Sequence, residues 1–328
     1  FYPVEQHAGD IISSYMSRDF ISLPEHLNIK EARELFLQIL NDDHFPCAVF
    51  IVDGENLRGV LSTRKLLQAA DDSQPLTQLM GTTLFHVGPQ DSRATAASII
   101  EKHHLTLLPV IDNSKLIGCL NEKEIAQLLE DEVTEDAQLQ GATLPLDKPY
   151  LDISPVMLWK KRAVWLLLLF IAEAYTSSVI QHFEEALESA IALAFFIPLL
   201  IGTGGNSGTQ ITSTLVRAMA LGEVGLRDLG RILRKEMSTA VLVAITLGTA
   251  GCIRAWMMGI GPEITFIVSL TLVCVTLWSA VVSSVIPLVI KRLGIDPAVV
   301  SAPFIATLID GTGLIIYFKI AQHFLGLN

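Results

Sequence analysis

Two carboxylates interrupt apolar stretches where charge is costly. Asp310 stands in FIATLIDGTGLIIYF and Glu173 in LFIAEAYTSS. An ionisable group at the centre of a membrane helix costs ~2.5–3.5 kcal/mol on insertion scales. Such a residue is retained for a partner or an ion, and hard divalent cations suit carboxylate oxygens. Asp296, in LGIDPAVVSAPF, precedes Asp310 by fourteen residues. On one helix the two would share a face ~21 Å apart, one at an entrance and one halfway down. Asp296 before Pro297 also reads as an N-cap with Pro at the first helical position. A second set of acids lies in LLEDEVTEDAQLQ, at Glu130, Asp131, Glu132, Glu135 and Asp136. Like charges at helical spacing repel, and a bound cation would relieve that repulsion. The same run also suits a solvated helix face. The stretch GTGGNSGTQ, residues 202–210, lacks the Lys of a phosphate-binding loop. Its small residues could let helices pack closely, and the helix could break there and turn carbonyls toward a water-lined path; both can hold at once, and the polar residues favour the break. Asn206, Thr209 and Gln210 could hydrogen-bond a hydrated ion.

The elements that hold these residues fall into two halves. The 328 residues are 51% hydrophobic, with mean hydropathy +0.48. Residues 1–157 carry 11 Lys+Arg against 24 Asp+Glu, whereas residues 158–328 carry 12 against 10. An acidic, polar front half joined to an apolar back half excludes a single soluble domain. It also excludes nucleic-acid binding through bulk charge, because phosphates repel an acidic face. Five apolar segments, roughly 163–181, 189–221, 237–258, 264–290 and 299–325, are each long enough to cross a bilayer. Basic residues flank them in alternation: Lys160–Arg162 before the first, Arg227 to Lys235 between the second and third, Lys291 and Arg292 after the fourth. By the preference of Lys and Arg for the inner face, the front half is cytoplasmic and the C-terminus outside. The four cysteines have no paired spacing and suggest neither a zinc site nor disulfides.

The front half contains a repeat. Met16 to about Ala69 and Met80 to about Glu130 follow the same course of strand, helix, two strands and helix. The pairs Asp53/Asp112, Leu57/Leu116 and Gly59/Gly118 all sit 59 apart. This order resembles a tandem cystathionine-β-synthase (CBS) domain pair. The resemblance implies a ligand-sensing module, often for adenine nucleotides, with Ser/Thr and Asp at the start of the last helix. Here those places hold Ser62, Thr63 and Lys65 in one repeat, Asn121 and Glu124 in the other.

A CBS pair, an acidic helix containing EVTED, and spans carrying PLLIGTGGNSGTQ, RKEM and DPAVVSAPFIATLIDGTGLIIYF together resemble the MgtE family of magnesium transporters. The resemblance covers about residues 5–328. It implies a homodimer in the lipid bilayer with one central pore, lined by the second and fifth spans. Asp310 would bind hydrated Mg²⁺, Asp296 would stand at the mouth, and Gly204, Gly205, Asn206, Thr209 and Ala306 would line the path. Mg²⁺ at some of Glu130 to Asp136 would hold the pore shut. Members usually carry an N-terminal helical domain before the CBS pair, so this chain reads as a truncation or a short natural form.

The expected fold is therefore multidomain: an α+β CBS pair, an acidic connecting helix and an all-α membrane domain of five helices. Its expected parts are a linker over 1–15, CBS domains over 16–79 and 80–127, the connecting helix and linker over 128–157, and the pore domain over 158–328. The expected activity is passive Mg²⁺ uptake across a plasma (inner) membrane. A carrier for Mn²⁺, Co²⁺ or Ni²⁺, or a cation-coupled exchanger, is the alternative. A membrane enzyme is disfavoured, since no His lies between His182 and His323 and no H-E-x-x-H occurs.

Overall fold

The computed structural model describes residues 11–41, 44–82 and 84–326. The first ten residues of the expected linker lie outside the described residues. The chain divides into two compact units, Phe1–Thr134 and Glu135–Asn328.

The first unit is built on one mixed sheet. Its strands are β1 (Ser22–Pro24), β2 (Ala48–Asp53), β3 (Asn56–Ser62), β4 (Leu108–Asp112) and β5 (Lys115–Leu120), in the order β1-β2-β3-β5-β4. Between them run α1 (Ile29–Ile39), α2 (Thr63–Gln68), α3 (Leu76–Leu79) and α4 (Arg93–His103). A reciprocal cap starts α1: Glu31 N donates to Asn28 Oδ1, and Asn28 N donates to the Glu31 carboxylate. Ser92 caps α4 by accepting from Thr95 N. The repeat is visible in the ladders. β2/β3 and β4/β5 each carry a register shift, at Ile51/Val52 and Val110/Ile111, again 59 residues apart.

The two repeats also exchange their leading segments. Met80, which opens the second repeat, packs on Gly59 of the first. Met16, which opens the first, packs on Gly118 of the second. A Cβ on Gly59 would stand 2.5 Å from Met80 Sδ, and one on Gly118 would stand 2.9 Å from Met16 Sδ. Each repeat has its own apolar core, one around Phe36 and Leu61, the other around Ile100 and Leu108, and a further cluster of Phe50, Val52 and Cys119 draws on both repeats. Cys119, in β5, is buried against Phe50 and Val52. Burial, followed by the nearby Glu124 charge, pushes its thiol up to about 12, so it stays protonated at neutral pH.

The last helix of the second repeat, α5 (Glu122–Gln140), runs unbroken through the expected boundary at residues 127 and 128. The acidic connecting helix is therefore the continuation of a CBS helix, and the division between units falls within it.

The second unit contains α6 (Pro155–His182), α7 (Glu184–Ser189), α8 (Ile197–Ala220), α9 (Leu229–Met257), α10 (Pro262–Arg292) and α11 (Ala302–Leu325). Five segments, Pro155–His182, Ile191–Ala220, Leu226–Met257, Pro262–Arg292 and Ala302–Leu325, are long and apolar enough to span a bilayer. Ser154 caps α6 and Ser301 caps α11, each followed by Pro in the first turn. The described structure corrects two expectations. GTGGNSGTQ is helical throughout, in the middle of α8, and the irregular turn lies earlier, at Ile191–Phe196. Asp296 is not on the helix of Asp310. It caps a short turn at Pro297–Val299, accepting from Ala298 N, and α11 begins only at Ala302. The fourteen-residue spacing therefore does not make them neighbours on one helical face.

Substituting Ala at Gly59 should cost about 1–3 kcal/mol, because the new methyl meets Met80 and the Gly81 carbonyl. The two sites are coupled, so Met80→Ala should cost less in the Gly59→Ala background than alone. Denaturant unfolding of the four variants checks this.

Candidate functional site

Asp310 lies in the second quarter of α11 and is only 9% exposed. Its neighbours are placed by glycine. On α8, a Cβ at Gly205 would stand 3.2 Å from the Ala306 Cβ and 3.9 Å from Asp310 Oδ1. The missing side chain thus lets the α8 backbone come up beside the carboxylate. One residue before it, Gly204 fits against Ile309 and Val275, and its carbonyl accepts a hydrogen bond from Ser279 of α10 at 3.0 Å. Gly208 fits against Ile305, Ile309 and Ser283. The small residues of GTGGNSGTQ serve close packing of three helices, as small residues do in membranes. On the other side of α11, Gly311 is pressed against the Tyr175 ring of α6.

Asp310 Oδ1 is buried and accepts no hydrogen bond. No ion pair to Asp310 occurs among the described residues. Lys319, the nearest basic residue along α11, lies over the Phe183 ring at 5.7 Å instead. The group that does meet Asp310 is Glu173 of α6, whose carboxyl is within hydrogen-bonding reach. The sequence marks Glu173 as an in-span acid but gives no sign of its partner.

The remaining expected path residues separate by face. Gly204 and Gly205 are buried, Thr209 and Ala306 are half-buried, and Asn206 is exposed. Asn206, Gln210 and Ser213 form an exposed polar strip along α8. Asp296, exposed at the start of the turn before α11, has one carboxylate oxygen engaged as a cap.

The acids of α5 are divided in use. Arg93, 8% exposed, donates from Nε to Glu132 at 2.8 Å and from Nη1 to the Tyr15 hydroxyl at 3.0 Å. Tyr15 in turn donates to Asp131 at 2.5 Å, whose other oxygen accepts from Gln127. Burial and then the Asp131 bond push the Tyr15 hydroxyl up to about 12. Burial acts to lower the Arg93 pKa, but its bonds to Glu132 and Tyr15 outweigh that and hold it above the usual range. Asp131 and Glu132 therefore fasten α5 to the second CBS repeat. Glu130 is exposed, and Glu135 and Asp136 are half-buried further along the helix. No group of three or more His, Cys, Asp or Glu side chains is arranged to hold a metal among the described residues. At the far end of α5, Gln140 Nε2 donates to the carbonyls of Ala298 and Val300, at 3.2 Å each. These carbonyls belong to the turn that Asp296 caps.

Of the positions suggested for a nucleotide, Thr63 and Glu124 make bonds within the fold. Thr63 is buried, and its hydroxyl donates to the Pro46 carbonyl at 2.7 Å. Asn121 N donates to Glu124, closing the start of α5.

Residues 197–320 match the family model described as MgtE, divalent cation transporter, and residues 8–72 and 76–131 match that of the CBS domain. The magnesium transporter MgtE of Thermus thermophilus is 33% identical over 320 residues, which is 97% of this chain and 70% of that protein. The magnesium transporter MgtE of Enterococcus faecalis is 29% identical over 322 residues, with the same coverage. That of Bacillus subtilis is 26% identical over 323 residues, again covering 97% and 70%.

Arg93→Met should destabilise the first unit by about 3–5 kcal/mol, since it leaves the shielded Glu132 carboxylate without its partner. Adding Glu132→Gln should recover part of the loss. Thermal unfolding of the single and double variants checks both.

Proposed function

Because the chain belongs to the MgtE family of magnesium transporters, we propose that it passes Mg²⁺ through a pore on the two-fold axis of a homodimer. Asp310 is the carboxylate that each subunit offers the ion. One observation carries this reading: Asp310 is buried at membrane depth with an unpartnered oxygen and, among the described residues, no ion pair. A carboxylate kept there without a use would be a standing cost. Mg²⁺ gives up its water reluctantly and takes only one or two carboxylates as partners. Two copies of Asp310 on a two-fold axis match the charge of one such ion.

The polar strip of α8 supports the dimer. Asn206, Gln210 and Ser213 are exposed on a helix whose surroundings are apolar. Polar side chains in spans face a bundle interior or a water-filled cavity rather than lipid. A second copy facing this strip encloses it, and the strip then lines the path. The Lys and Arg clusters at the start of α6, the start of α9 and the end of α10 put those ends on the cytoplasmic side of the plasma membrane. The C-terminus is then outside.

Closure by cytosolic Mg²⁺ is assigned to the acids of α5. The candidate ligands are Glu130, Asp131, Glu132, Glu135 and Asp136; Asp131 and Glu132 also hold Tyr15 and Arg93, so a test that leaves that contact intact uses the other three. Two bonds from Gln140 connect the end of α5 to the turn beside Asp296. An ion that fixes α5 thereby fixes the pore mouth.

In liposomes, Asp310→Asn should reduce Mg²⁺ flux by at least about a hundredfold while the protein remains folded and dimeric, the loss of one charge-neutralising ligand per subunit at the ion. Wild-type flux in that variant contradicts the reading. Neutralising Glu130, Glu135 and Asp136 together should leave flux running at millimolar Mg²⁺ on the sensor side, where the wild type closes. Unchanged inhibition places the gate elsewhere.

A further inference from the structure

We propose that Glu173 is a second carboxylate of the intramembrane cation site, so that each subunit meets the passing Mg²⁺ with an Asp310–Glu173 pair. This inference rests on the transport reading of Asp310 and extends it to a residue of the first span.

Glu173 has no structural duty that explains it. It lies in the apolar run of α6, nine residues before the helix ends at His182, and no ion pair to it occurs among the described residues. It is half-buried rather than turned fully outward. Its carboxyl comes within hydrogen-bonding reach of Asp310. Two acids in contact at this depth either share a proton or take up positive charge, and among the described residues no side chain is ion-paired to either.

Independent observations point to a ligand at the pair. Asp310 Oδ1, in a residue more than nine-tenths buried, is unpartnered. One turn along α6 from Glu173, the buried Thr176 hydroxyl is also unpartnered. It stands 3.4 Å from where a Cβ on Gly311 would be, next to Asp310 in the chain. Carboxylate oxygens and a hydroxyl on two helices form a hard-oxygen surface, the donor set that Mg²⁺ and its waters prefer. The Gly311–Tyr175 contact locks α6 to α11 at this level, so the surface is held rather than formed by chance approach. A second carboxylate deepens the electrostatic well for divalent over monovalent cations.

The test uses the full chain in liposomes and reads the Mg²⁺ concentration at half-maximal flux, together with competition by Na⁺. Glu173→Gln keeps the shape and removes the charge. The expected result is a half-saturating Mg²⁺ raised about threefold or more, with stronger Na⁺ competition, and recovery toward wild type in Glu173→Asp. Half-saturation within about threefold of wild type overturns the proposal. Asp310→Asn is run in parallel. If that variant transports normally, the transport reading itself has failed, whereas loss there with an unaffected Glu173→Gln sinks only the second carboxylate. A measurement on the unmutated protein removes dependence on folding of the variants. Dicyclohexylcarbodiimide labelling of Glu173, located by mass spectrometry, should fall when Mg²⁺ is present. Labelling at Glu173 that is the same with and without Mg²⁺ also overturns the proposal.

Discussion

The second unit is organised around an electrostatic demand. A carboxylate of α11 stands buried at membrane depth between α6 and α8, with a second acid beside it and, among the described residues, no ion pair to either. Placing one charge there costs several kcal/mol unless something positive compensates it. A chain of marginal stability does not keep such a cost without return. On the proposed transport reading a hydrated divalent cation supplies the return, and the surrounding arrangement follows from that need. The carboxylate must be reachable by water and ion, yet held closely enough to keep its geometry.

Glycine provides that hold. Gly204, Gly205 and Gly208 let α8 lie against α10 and α11, and Gly311 lets α6 lie against α11 from the other side. In lipid no hydrophobic force drives helices together, so close fit and a few hydrogen bonds must do so. Ser279 to the Gly204 carbonyl, Trp278 to Thr312 and Tyr317 to the Leu193 carbonyl are such bonds. The cytosolic unit uses glycine in a similar way, with Gly59 and Gly118 seating the methionine of the opposite repeat. There the result is a pair of repeats that hold each other's leading segments.

Much of this was legible in the sequence, because hydrophobic period and length are local signals. The five spans, the 59-residue repeat and the in-span acids all follow from them. What the sequence left open depends on tertiary partners. GTGGNSGTQ suits a broken helix or a tightly packed one, and only the neighbouring helices decide between them. A run of acids on α5 gives no sign that Arg93 and Tyr15, far off in the chain, take up Asp131 and Glu132. Spacing alone puts Asp296 and Asp310 on one helix, whereas Pro297 and the turn after it interrupt the course. Glu173 stood out by its type, but its partner is 137 residues away.

The most direct test of the central claim is anomalous scattering from Mn²⁺, used as a visible stand-in for Mg²⁺, in crystals of the full chain. The account predicts a peak on the two-fold axis of a dimer, within reach of both Asp310 carboxylates through at most one layer of water. Asp310 turned away from such an axis, in a dry contact with no peak near it, would contradict the account.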